Sequence, residues 1–161
     1  MVYANIENNL KIHLSEDLLF ELQTYCSQSG NLETGGILIG YYEDNNMSAN
    51  ITAVTGPPSD SKHGRTTFVR GTKGLKKILD NHWQKGRYYL GEWHYHPYAL
   101  PDPSFQDINQ MKKISTDHKY HCPEPLMIII GMEGKSFINR IFASLKGQNL
   151  IEFHPIERIT T

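Results

Sequence analysis

Long apolar runs are missing from this sequence. The longest, Leu126 to Ile130, falls far short of the roughly 20 residues that a membrane-spanning helix needs. Cysteine is scarce: there are 2, Cys26 and Cys122, in no paired motif. That excludes a disulfide framework and fits a reducing, cytoplasmic setting with both thiols buried or inert. An excess of one charge is absent as well. With 16 basic and 17 acidic residues the formal net charge is -1, so the overall balance favours neither nucleic acid nor an anionic membrane surface. Lys73, Lys76 and Lys77 cluster, but they read as a solvated helix face. The opening M-V-Y-A-N-I-E-N-N-L has neither the basic start nor the apolar block of a secretory signal. No repeat, low-complexity tract or linker interrupts the chain. A length of 161 residues suits one domain with a real core, so residues 1–161 are expected to form a single unit.

What is present is a mixture of strand and helix patterns. Lys11 to Leu14 can start a strand. Ser15 is a good helix cap, followed by acidic Glu16 and Asp17. Leu18, Leu19, Leu22, Tyr25 and Cys26 share one helical face, and Gly30 suits the stop, which predicts a helix over 16–29. Glu33 to Tyr41 and Ala49 to Thr55 read as strands around a polar turn. Gly56 to Arg65 is a loop, and T-T-F-V-R is a short strand. Leu75, Ile78, Leu79 and Trp83 mark a second helix ending at Gly86. Arg87 to His96 reads as a strand. A proline-rich loop leads to Ser104, which opens a third helix with Phe105, Ile108 and Met111 expected to face inward. Leu126 to Gly131, Phe137 to Leu145 and Leu150 to Phe153 complete the strands.

The chemistry concentrates in G-E-W-H-Y-H-P-Y-A-L-P-D-P-S-F-Q-D, Gly91 to Asp107. Strand alternation points His94 and His96 the same way and turns Trp93 and Tyr95 to the other face. Their backbones lie roughly 7 Å apart, a spacing from which two imidazoles can converge on one ion. Asp107, in the first turn of the helix that Ser104 opens, is the candidate third ligand; three ligands leave a fourth position open, as in catalytic zinc sites. Pro97, Pro101 and Pro103 stiffen the connection. A plainer account also fits, because Ser104-x-x-Asp107 has the form of a capping box. Glu33 stands at the start of E-T-G-G-I-L-I-G, where Gly35 and Gly36 permit close approach of backbone or ligand. Beside a metal it is a candidate proton acceptor; otherwise it is a solvated strand-entry residue. Glu92 shares the face of the two histidines, either as a partner that orients an imidazole or as a rival base. His118, His121 and Cys122 are a weaker grouping, read as structural or exposed. His13, His63, His82 and His154 have no grouping.

E-T-G-G-I-L-I-G, then W-H-Y-H-P, seven residues, then S-F-Q-D resembles the JAMM (MPN+) metalloprotease signature. The resemblance implies a mixed α/β JAB/MPN fold, cytidine-deaminase-like, with a curved mixed sheet flanked by about three helices. It implies that His94, His96 and Asp107 bind one Zn²⁺, that Glu33 is the general base, and that Ser104 donates to the substrate carbonyl oxygen. Tyr95 departs from the Ser or Thr usual there, and by alternation it faces away from the metal. The implied activity is hydrolysis of a peptide or isopeptide bond after the extended C-terminal tail of a ubiquitin-like or similarly conjugated protein, with the Gly56 to Arg65 loop as a candidate flank of the groove. The G-E-W-H-x-H-P form is most similar to stand-alone bacterial JAB proteins, among them those of antiphage CBASS operons that release a conjugated nucleotide cyclase. A JAB peptidase trimming sulfur-carrier tails, a non-catalytic MPN scaffold and a RadC-like protein stay open as alternatives. A zinc nucleoside deaminase fits poorly, since H-x-E and P-C-x-x-C are absent.

Overall fold

The first helix begins where its cap predicts. In the computed structural model, which describes residues 1–146 and 149–156, Ser15 Oγ accepts from the Leu18 amide at 3.2 Å and α1 runs Glu16–Ser29. Gly30 ends it at φ 63°, a conformation that glycine adopts without penalty. Leu22 and Cys26 are the fully buried residues of its inner stripe.

The strands are β1 (Val2–Asn5), β2 (Leu10–His13), β3 (Thr34–Glu43), β4 (Ser48–Val54), β5 (Lys62–His63), β6 (Phe68–Val69), β7 (Tyr88–Tyr95), β8 (Leu126–Glu133), β9 (Ser136–Ser144) and β10 (Leu150–Pro155). The other helices are α2 (Leu75–Trp83) and α3 (Phe105–Thr116), with a 3-10 turn at His118–Tyr120. The expected curved mixed sheet is present, and it closes on itself as a barrel in the order β1-β10-β9-β8-β7-β3-β4-β2. Closure depends on β1, which no sequence pattern marked. It pairs antiparallel with both β2 and β10, while β2 lies parallel to β4. β5 and β6 form a separate two-stranded hairpin on the segment between β4 and α2.

One core fills the barrel. Leu38, Leu90, Trp93, Ile128, Ile130 and Ile141 meet there, all fully buried, with α1 packed against them. The opposite face of the same strands is also apolar and is covered by two helices. Leu75 of α2 packs on Ile37 and Ile39, and Met111 and Ile114 of α3 pack on Met127, Ile129 and Phe142. Between these two clusters lie Glu92 and His94.

Two helix faces differ from expectation. Phe105 is 81% exposed, because the inward stripe of α3 is Asp107, Met111 and Ile114. These sit at i, i+4 and i+7, so Asp107 occupies a core-facing position of the helix. Trp83 is 68% exposed; as the last residue of α2 it projects beyond the sheet and meets the Tyr88 ring edge to face. Lys73, Lys76 and Lys77 are all exposed; Lys76 and Lys77 lie on α2, whereas Lys73 precedes it in a turn. Among the described residues no helix is long and apolar enough to cross a membrane.

Candidate active site

β7 and β8 are parallel, so their connection must cross over; it is the proline loop followed by α3. Such a crossover brings a helix N-terminus back over the carboxyl end of the strand it left. That places Asp107 above His94 and His96. The loop is held down on β8: the Met132 amide donates to Ala99 O at 2.7 Å, and a Cβ at Gly131 would lie 2.4 Å from that same oxygen. Asp102 within the loop pairs with Arg140 of β9.

Strand alternation holds at the site. His94 and Glu92 face α3 and α2, whereas Trp93 and Tyr95 enter the barrel core; the Tyr95 ring meets Phe137 edge to face. His94 stands opposite Gly35 of β3, where a Cβ would meet Trp93 O at 2.4 Å and His94 Cδ2 at 3.0 Å. The glycine therefore makes room for the imidazole.

The three candidate ligands come together. His94 Nδ1 lies 2.6 Å from Asp107 Oδ1, and His96 Nε2 lies 3.2 Å from Asp107 Oδ2. All three are buried. Burial pulls the His94 imidazole down, but the adjoining Asp107 and Glu92 carboxylates outweigh it and lift its pKa to about 9. For Asp107 burial raises the carboxyl, and its bonds to His94 and His96 overcome that and hold it well below the usual range.

Two imidazoles and a carboxylate are a donor set that suits zinc. Three carboxylates, those of Asp107, Glu92 and Glu33, gather here around the Arg70 guanidinium and the His94 imidazole, and a divalent cation would take the place of the imidazole proton in balancing them. Among the described residues no group of three His, Cys, Asp or Glu side chains is spaced as an open ligand cage. The donors of His94, His96 and Asp107 fit the ion in kind.

Ser104 and Asp107 form the capping box, and the same Asp107 carboxylate meets the two candidate histidines. Ser104 Oγ accepts from the Asp107 amide at 3.1 Å, and the Ser104 amide donates to Asp107 Oδ2 at 2.7 Å, a complete capping box. The same hydroxyl donates to Asp107 Oδ2 at 2.8 Å, from an exposed position at the mouth of the site. Cap and site share one carboxylate.

Glu33 immediately precedes β3 and is half-buried. Burial raises its carboxyl above the ordinary value, with His96 and His94 pulling down and Asp107 pushing up, so it lies within the field of all three. Its backbone is pinned on both sides: the amide donates to Gly64 O at 2.8 Å, and the carbonyl meets His63 Nδ1 at 2.9 Å. The Gly56 to Arg65 segment thus flanks Glu33.

Glu92 is 1% exposed and fully engaged. Arg70 Nε donates to its Oε1 at 2.9 Å, the Tyr89 hydroxyl donates to the same oxygen at 3.2 Å, and Oε2 lies 3.5 Å from His94 Nε2. Burial raises its carboxyl; His94 and Arg70 together outweigh that and hold it below the ordinary range.

Nothing in the linear pattern marked Arg70, Tyr89, His63 or Phe68. Phe68 lies edge-on to His94, with centroids 5.8 Å apart, and its ring is 5.2 Å from that of His63. These residues come from the hairpin segment and the start of β7, and only tertiary contact relates them to the histidines. Cys122 belongs to the α3 core cluster, with its thiol pushed up to about 12 by burial, while His118 and His121 are exposed. Cys26 is likewise a core residue.

Comparison with known proteins identifies relatives of this chain. The profile of the prokaryotic homologs of the JAB domain matches residues 15–141. A CD-NTase/cGAS isopeptidase of Enterobacter hormaechei is 44% identical over 120 residues, covering 74% of this chain and 67% of that protein. A CD-NTase/cGAS isopeptidase of Escherichia coli is 36% identical over 152 residues, covering 88% and 91%. A Desulfitobacterium hafniense protein solved in solution superposes with a TM-score of 0.66 at 20% identity, covering 88% of each chain, a likeness of fold. The crossover that delivers Asp107 to the two histidines is thus set in a chain that belongs to the prokaryotic JAB-domain family, as a hydrolase of the JAMM type.

Proposed function

We propose that the chain is a zinc-dependent isopeptidase that hydrolyses the bond joining a conjugated protein's C-terminal tail to its target, and that the conjugated protein is a CD-NTase-type nucleotide cyclase. The observation that carries the chemistry is the contact of Asp107 with both imidazoles, with the Glu33 carboxyl in the same field. The substrate class rests on the likeness to relatives named CD-NTase/cGAS isopeptidases, at 44% and 36% identity.

His94, His96 and Asp107 would hold Zn²⁺. Bound there, the ion supplies Lewis acidity toward the amide carbonyl and makes water a nucleophile near neutral pH. Glu33 accepts a proton from the attacking water and returns it to the amine as the C–N bond breaks, leaving the tail as a carboxylate. Ser104, exposed beside Asp107, turns its one hydroxyl proton from Asp107 Oδ2 to the carbonyl oxygen as charge develops. The Gly56 to Arg65 segment forms one wall beside Glu33.

The test is cleavage of a cyclase tail fused or conjugated to a target protein. Wild-type protein should cut it, a chelator should stop the reaction, and Zn²⁺ should restore it. Glu33→Ala should lose turnover by about 10²-fold or more while keeping its zinc. Equal cutting by Glu33→Ala would overturn the assignment of the base. Cutting of sulfur-carrier tails but not cyclase tails would redirect the substrate.

A further inference from the structure

Arg70 follows β6 directly, and its side chain is 7% exposed against a Glu92 side chain at 1%. All three of its nitrogens are used. Nε donates to Glu92 Oε1 at 2.9 Å, with Nη2 2.7 Å from that oxygen; Nη1 donates to Gly71 O at 2.8 Å; and Nη2 donates to the Tyr120 hydroxyl at 3.4 Å. The Tyr89 hydroxyl adds a third contact to Oε1.

The division of the carboxylate is the informative feature. Oε1 takes Arg70 and Tyr89, whereas Oε2 is left to His94 Nε2, at an ion-pair distance of 3.5 Å. The other ring nitrogen, Nδ1, faces Asp107. A histidine that ligates a metal through one nitrogen is commonly oriented by an acceptor at the other. Glu92 stands where that acceptor belongs, and Arg70 fixes Glu92 from behind.

A distortion of β7 makes this arrangement possible. β3 Leu38 pairs with Gly91, but the next residue, Ile39, pairs with Tyr89, so Leu90 is the extra residue of a bulge. Three positions separate Tyr89 from Glu92, and on a regular strand they would face opposite ways. The bulge turns Tyr89 to the Glu92 side. Gly91 adopts φ 152° there, and a Cβ on it would lie 1.9 Å from Leu126 O.

We propose that Arg70 is a positioning residue for the active site: it holds Glu92, and Glu92 sets the orientation of the His94 imidazole toward the ligand set. The inference rests on the reading of His94 as a metal ligand. The rival account is that the pair merely anchors the hairpin segment between β4 and α2. The two accounts differ in what the folded variants do with metal.

The experiment compares Arg70→Met, Arg70→Lys, Glu92→Gln and the double variant Arg70→Met/Glu92→Gln in the full chain. Three properties are read: zinc affinity by competition with a chromophoric chelator, the absorption bands of the cobalt-substituted protein, and melting of the zinc-free form. Arg70→Met should bind zinc about 10- to 100-fold more weakly and shift the cobalt bands. Arg70→Lys should recover part of the affinity, since it keeps the charge and loses the fork. The double variant no longer strands a buried carboxylate, so it should melt near the wild-type temperature yet still bind zinc weakly. Should Arg70→Met fail to fold, the double variant and Arg70→Lys carry the same readouts. A well-folded double variant with wild-type zinc affinity and cobalt spectrum would overturn the proposal. Asp107→Asn is the reference: if it too left zinc binding unchanged, the metal reading itself would be the one to fall.

Discussion

His94 is held between two carboxylates, those of Asp107 and Glu92. Its imidazole is lifted from 6.5 to about 9 by the carboxylates around it. A group whose pKa rises on folding stabilises the fold in its protonated form. That contribution is complete below the unfolded value and disappears as pH rises through the folded one. Chelator-treated protein should therefore lose melting temperature between about pH 6.5 and 9, and His94→Gln should flatten that decline. A steady melting temperature across that window in the wild type would contradict the assignment. Ser104 is the other residue with two duties. Ser104→Ala removes a helix cap worth about 1 kcal/mol and a proposed carbonyl donor worth about 10² to 10³ in kcat. Thermal melts and steady-state kinetics on the same sample separate the two: a small melting shift with a large kcat loss is expected. A purely structural serine would lower melting and leave the kcat of the folded fraction intact.

At the scale of elements, the site is the meeting of strand β7, its neighbour β3 and the crossover helix α3. Gly35 sets how closely β3 and the His94 ring approach. In Gly35→Ala the new methyl would meet Trp93 O, Phe68 Cε1 at 2.8 Å and the His94 ring edge at 3.0 Å. The backbone oxygen cannot yield as a flexible side chain can. Gly35→Ala should accordingly weaken zinc binding at least tenfold, by analogy with other losses of ligand support, and displace His94; metal titration and a structure of the variant check both. The proline loop contributes rigidity of a different kind. Its restricted backbone and its anchorage on Gly131 and Met132 hold the N-terminus of α3 over the strand ends. The hairpin segment does the same on the far side, pinning Glu33 through Gly64 and His63 and Glu92 through Arg70.

At the scale of the whole molecule, the barrel is closed by strands that lie outside the family match. The matched residues are 15–141, yet β1, β2 and β10 complete the ring around the core. Deleting residues 1–5 would remove the strand bridging β2 and β10 and leave two unpaired edges. Unpaired edges lose stability and invite association with other chains. The truncated protein should melt at a lower temperature and associate more than the intact chain in sedimentation experiments; an unchanged melt and sedimentation profile would show that closure contributes little.

Read alone, the chain determined much of this. Cap residues located the starts of α1 and α3 and periodicity located α2, which ends at Trp83 rather than at Gly86, because local hydrogen bonding and helical phase are written in neighbouring residues. The spacing of His94, His96, Ser104 and Asp107 pointed to one site, because a strand and a first helical turn have fixed side-chain directions. β1 escaped notice because four residues without clear alternation carry no signal until they pair. Phe105 and Trp83 were misjudged because an apolar residue at a helix end obeys its tertiary neighbours rather than the helical phase. Arg70 and Tyr89 were invisible for a stronger reason. Their contacts depend on a bulge in β7 and on a pairing across 22 positions of chain, and only the packing of the segment after β6 against β7 brings those groups to one carboxylate.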